Sequence, residues 1–138
     1  MTHDDQRTTA LEIGRLVEKA GLSTPCLLLD GAAVDRAVDR FRRHLPAARL
    51  FYAVKANPSP ALVRHLAGAG LSFDVASAGE IGSVRSLGID GSRLYLSTPV
   101  KSRDTLRALF EERVGAIAVD TIAELERVAA YRRTHGYT

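Results

Sequence analysis

The chain has 138 residues with 46% hydrophobic and 25% charged content, enough for one folded domain and unlike a disordered or fibrous class. Its net charge of +3 and pI near 9.3 do not point to nucleic acid, because the arginines alternate with acids, as in Asp35-Arg36 and Asp39-Arg40, with no aromatic stacking platform beside them. The single Cys26 excludes an internal disulfide, no apolar run approaches a membrane span, and residues 1–10 lack the apolar stretch of a secretory signal, which makes the cytoplasm the expected compartment.

Residues 1–7 are expected to be mobile. Thr9 and Glu12 have capping-box spacing, and Ile13, Leu16, Val17 and Ala20 then share one face of a short helix that Gly21 stops. Residues 24–30, Thr-Pro-Cys-Leu-Leu-Leu-Asp, form a brief apolar run bounded by turn residues and read as a strand, with Cys26 a small buried hydrophobe. Asp30 can cap a helix carrying Val34, Ala37, Val38, Phe41 and Leu45 before Pro46.

From there the pattern becomes regular. Strands are expected to end near Val54, Val75, Leu96 and Val119, about 20–23 residues apart, each followed by an amphipathic helix. Ser59-Pro60 supplies a cap and first turn ahead of Leu62, Val63 and Leu66; Ser77 and Glu80 form a capping box ahead of Ile81, Val84 and Leu87; Ser102 caps the helix of Leu106, Leu109 and Phe110; Thr121 and Glu124 repeat the box ahead of Leu125 and Val128. Strands alternating with helices at this pace call for right-handed crossovers and a parallel sheet, either an open doubly wound sheet or part of a barrel.

In both architectures ligands gather at the carboxyl ends of the strands. Those ends offer Lys55 and Asn57, Asp74 and Ser77, Ser97 and Thr98, and Asp120 and Thr121, with Lys55 the one cation in that set. Residues 51–57 read Phe-Tyr-Ala-Val-Lys-Ala-Asn and run into Pro58-Ser59-Pro60, which places Lys55 at a strand-to-loop junction. A lysine flanked by apolar residues can be partly desolvated, which frees its amine to act as a nucleophile or form a Schiff base; the alternative is an ordinary lysine snorkelling from a strand end. Asp74 is either a charge partner or a turn-forming carboxylate, and the spacing of Ser77 and Glu80 is fully explained by a helix cap. His44, His65 and His135 fall at surface positions, and no metal-ligand cluster is evident.

The block at residues 51–57, together with Phe73-Asp74-Val75-Ala76-Ser77-Ala78-Gly79-Glu80, resembles the N-terminal part of the pyridoxal-phosphate-dependent decarboxylases acting on ornithine, diaminopimelate and arginine. Thr24-Pro25, Thr98-Pro99-Val100-Lys101 and Val119-Asp120 fit the same pattern in order and spacing. The resemblance implies an alanine-racemase-like (β/α)8 barrel, of which residues 31–138 are the N-terminal half with about four βα units. Residues 1–30 are then a helix and a strand that joins a C-terminal β domain. It implies pyridoxal phosphate bound on Lys55, with Asp74 orienting a nearby cation and Ser77 and Glu80 in the cofactor-binding set. It further implies an amino-acid substrate and a homodimer whose active sites form where subunits meet.

The resembled enzymes hold the cofactor phosphate with a later glycine-rich loop, pair the ring nitrogen with a later acid and stack the ring on a later histidine; none of these motifs falls within the 138 residues. Gly79 and Gly82 are not a substitute, because they belong to the second-strand block. The chain is therefore expected to stop at the approach to a fifth strand, with open sheet edges, and to be inactive alone. A racemase, an enzyme for carrier-bound substrates and a non-catalytic relative that binds a protein partner are the alternatives.

Overall fold

A computed structural model describes residues 3–137, and the chain divides into two units, 1–30 and 31–138. In the first unit, helix α1 (His3–Lys19) starts well before the expected cap, so Thr9 and Glu12 lie inside it. No proline interrupts residues 3–19, and extending a helix is easier than nucleating one. Of the stretch expected to be mobile, residues 1–2 lie outside the described residues and the rest is helical. Gly21 does end the helix, with φ 61° and bonds from the Gly21 and Leu22 amides to the Glu18 and Val17 carbonyls, 3.1 and 3.0 Å. The strand expected over residues 24–30 is not formed. A strand needs a ladder to join, and no strand among the described residues takes this segment, so Leu27 and Cys26 are exposed rather than buried.

The second unit begins with α2 (Gly31–His44) and then alternates strands with helices: β1 (Phe51–Ala53), α3 (Pro60–Gly68), β2 (Ser72–Val75), α4 (Ala78–Arg85), β3 (Leu94–Leu96), α5 (Arg103–Glu111), β4 (Ala116–Ile117) and α6 (Ile122–Thr134). All strand pairs are parallel, and the sheet order is β1-β2-β3-β4. A doubly wound sheet reverses its order at a switch point. Here each strand is added on the same side of the last, so right-handed crossovers put the connecting helices on one face.

That face is the core. Phe73, Val75, Leu94 and Leu96 are fully buried on it, against Leu62, Val63 and Leu66 of α3, Ile81 and Val84 of α4, and Leu106 and Leu109 of α5. Each helix contributes residues at three- or four-residue spacing, as its sequence pattern requires. Some expected core positions are exposed: Phe41 and Leu45 on and after α2, and Leu125 on α6. No strand or helix among the described residues covers them. His65 of α3 reaches Asp35 of α2 at 2.7 Å, tying the two helices together.

The helix starts carry the expected hydroxyl caps in three cases. Ser77, Ser102 and Thr121 accept hydrogen bonds from the amides of Glu80, Thr105 and Glu124 at 3.2, 3.1 and 3.1 Å. Ser59 is the N-cap of α3 but its side chain makes no capping bond; Asn57 Oδ1 takes the Ser59 amide at 3.0 Å instead, because the extended backbone there favours a local turn around the prolines.

A close backbone approach fixes the far end of the sheet. The Gly115 amide donates to the Gly91 carbonyl at 3.0 Å, and a Cβ on Gly115 would overlap the Ser92 carbonyl oxygen. Gly115→Ala is therefore expected to lower stability by about 1–3 kcal/mol through overpacking, measured as a drop in the urea midpoint. An unchanged midpoint would mean that the two segments separate freely.

Candidate active site

Parallel pairing brings the carboxyl ends of β1 to β4 to a common rim. After β1 the chain makes a 3-10 turn, Val54–Ala56, in which Val54 is buried as an anchor and Lys55 is exposed. The turn places Lys55 at the strand-to-loop junction, as the sequence implied. The described residues do not desolvate it, however, because only one flank of the turn is packed. Asn57 ends the turn in extended conformation, held through its side chain by the Ser59 amide.

Asp74 stands on the adjacent strand, directly opposite Ala53 in the ladder. Its neighbours Phe73 and Val75 point into the helix-covered core, so strand alternation sends Asp74 to the opposite face. There its Oδ1 is buried and has no hydrogen-bond partner. A buried carboxylate oxygen without a donor is destabilising, by about 1–3 kcal/mol, and native proteins leave few such atoms.

Ser77 and Glu80 are engaged in starting α4. The Ser77 hydroxyl takes the Glu80 amide, and Glu80 Oε2 takes the Ala76 amide at 2.8 Å, one residue earlier than a standard capping box reaches. Thus Lys55 and Asp74 lie at neighbouring strand ends, while Ser77 and Glu80 shape the loop that follows β2. Thr98, on the next strand end, donates through its hydroxyl to the Val100 carbonyl at 3.3 Å.

Sequence reasoning assigned no role to Lys101, yet it is the most heavily bonded residue of this rim. Its side chain is fully buried, and Nζ donates to the carbonyls of Thr98, Pro99 and Ala118 at 3.2, 2.9 and 2.6 Å. Glu124 Oε1 lies 3.5 Å from the same nitrogen, and Arg127 holds both Glu124 oxygens at 2.8 Å while donating to the Lys101 carbonyl. This knot joins the loops after β3 and β4. It also corrects the second half of the Thr121–Glu124 capping box, since the Glu124 carboxylate turns to two cations instead of back to the helix start, where charge pairing is the stronger attraction. The signal available in the sequence was a lysine two residues after a proline in a strand-end loop with an acid 23 residues on, a spacing that carries no meaning before the fold is known.

The pyridoxal-dependent decarboxylase family, in its pyridoxal binding domain, matches residues 31–135. The chain belongs to this family. It is 38% identical over 123 residues to a lysine/ornithine decarboxylase of Selenomonas ruminantium, covering 89% of this chain and 31% of that protein. It is also 39% identical over 111 residues to a diaminopimelate decarboxylase of Actinosynnema pretiosum, covering 80% of this chain and 25% of the relative. The structure of the Selenomonas lysine decarboxylase in complex with PLP and cadaverine superposes with a TM-score of 0.79 at 39% identity, over 86% of this chain and 31% of that one. The chain thus spans about a quarter to a third of the length of these decarboxylases, and its four βα units correspond to the N-terminal part of their barrel.

The Lys101 knot has a measurable electrostatic signature. Hydrogen bonding from Arg127, against an opposing effect of burial and with help from Lys101, holds the Glu124 carboxyl below the ordinary glutamate range. A depressed carboxyl pKa contributes stability above the unfolded value and loses it as pH falls through the folded one. Lys101→Met is expected to cost about 3 kcal/mol or more by leaving three carbonyls unpartnered. Glu124→Gln is expected to start less stable at neutral pH and to lose less on acidification than the parent, read from urea midpoints at pH 7 and at about pH 4. Parallel pH profiles for parent and variant would overturn this assignment.

Proposed function

We propose that this chain is the cofactor-carrying part of a pyridoxal-phosphate-dependent amino-acid decarboxylase of the lysine, ornithine or diaminopimelate type, with Lys55 as the covalent attachment point. The observation that carries the proposal is the pairing at one rim of an exposed lysine on an anchored turn with a buried, unpartnered Asp74 oxygen one strand away. A buried carboxylate oxygen with no donor from the protein is suited to stabilise positive charge at this rim.

The residues fit the cofactor's chemical demands. Lysine is the side chain that can condense with an aldehyde and later be displaced by a substrate amine, whereas arginine stays protonated. When bound, pyridoxal phosphate supplies an electron sink for the pair left behind as carbon dioxide departs. Asp74 stabilises positive charge beside Lys55, and its placement on a strand holds that charge in a fixed direction. Ser77 and Glu80 support the loop after β2 by keeping α4 started at Ala78, and act on the cofactor through that loop's position. Lys101, saturated by carbonyls, cannot compete with Lys55 for the aldehyde.

Borohydride reduction of the pyridoxal-phosphate-loaded protein that carries this chain, followed by peptide mapping, is expected to place the pyridoxyl group on Lys55. A label on Lys101 or Lys19 with Lys55 unmodified would end the proposal. Asp74→Asn is expected to reduce turnover about tenfold or more, equivalent to roughly one pKa unit of lost charge stabilisation, with a thermal midpoint equal to or above the parent's. Unchanged turnover would return Asp74 to a purely structural part.

A further inference from the structure

Lys55 is carried on a turn of three residues, and short 3-10 segments have poor hydrogen-bond geometry of their own. Something else must hold it. Tyr52 lies in register with Phe73, so its ring is on the helix-covered face, where it packs against the core and shares an apolar cleft with Val38, Leu62 and Leu66. From that fixed ring the hydroxyl reaches past the turn and donates to the Asn57 carbonyl at 3.2 Å. Asn57 is thereby gripped twice, at its carbonyl by Tyr52 and at its carboxamide by the Ser59 amide. The strand before Lys55 and the loop after it are joined by one side chain.

We infer that Tyr52 is a positioning residue for Lys55: its hydroxyl closes the 54–57 turn through Asn57 and so sets the direction in which the lysine amine is presented to the cofactor. The inference rests on the proposed role of Lys55, and it concerns a residue that touches neither the cofactor nor the reacting atoms. Desolvation raises the Tyr52 pKa above the ordinary tyrosine value, so the hydroxyl remains a donor throughout the neutral range. Phenylalanine would keep the ring and its packing and remove only the latch.

The test is Tyr52→Phe in the protein that carries this chain. Hydrogen exchange without cofactor is expected to quicken about threefold to tenfold at the Ser59 amide and its neighbours in residues 54–59, the range one modest hydrogen bond supports, while α4 and α5 exchange as in the parent. Pyridoxal phosphate affinity, followed by absorbance and by borohydride trapping at Lys55, is expected to weaken by a similar factor. Exchange and affinity both matching the parent would overturn the inference, and so would a uniform quickening across all helices, which would mark Tyr52 as general packing. A parent that takes up no pyridoxal phosphate would instead end the functional reading, and the exchange measurement would still decide whether Tyr52 sets the turn.

Discussion

Parallel pairing in sequence order is the constraint on which the rest depends. Once β1 to β4 pair in that order with one hand of crossover, the connecting helices are committed to one face, the opposite face carries Phe51, Asp74 and Tyr95, and every strand's carboxyl end arrives at the same rim. Lys55 and Asp74 are 19 residues apart in the chain, yet they become neighbours because the β1–β2 register sets Ala53 against Asp74. No local feature of either segment could achieve this. The chemistry at the rim is a product of topology before it is a product of side chains.

The rim is then stiffened by three kinds of device. Hydroxyl caps at Ser77, Ser102 and Thr121 fix where each helix begins, and therefore how long each strand-end loop is. The Tyr52–Asn57–Ser59 chain of bonds holds the loop after β1 from within. Lys101 holds the loops after β3 and β4 from beneath, at the considerable desolvation expense of a buried ammonium that the three carbonyls and Glu124 offset. In each case the polar groups of a loop are satisfied by something other than water, which is what allows the loop to keep one shape.

Much of this was legible in the sequence, for identifiable reasons. The strands near Val54, Val75 and Leu96 were marked by apolar runs ending at polar or proline residues, and the helices by spacing and by Ser or Thr three residues before an acid or another capped amide. The parts that were not legible depended on partners distant in the chain. Thr9 and Glu12 have the spacing of a cap but lie inside α1, because local spacing cannot say whether a helix has already begun. Residues 24–30 have strand composition, but strand structure belongs to a pair and none is available to them here. Glu124 had a plausible local role as a capping acid and Lys101 had none, and only the fold revealed that they face each other. The barrel came from the resemblance of the 51–57 and 73–80 blocks, since strand order is invisible to composition.

The Lys101 knot recognises main-chain oxygens. The carbonyls of Thr98, Pro99 and Ala118 are acceptors that any amino acid brings with it. The side chain at position 118 is consequently relieved of holding its own loop in place, whereas the Thr98 hydroxyl still donates to the Val100 carbonyl within its loop. A substitution at position 118 can therefore change the surface of the rim without dismantling the scaffold beneath. A costly buried charge of this kind separates what the rim looks like from what keeps it standing.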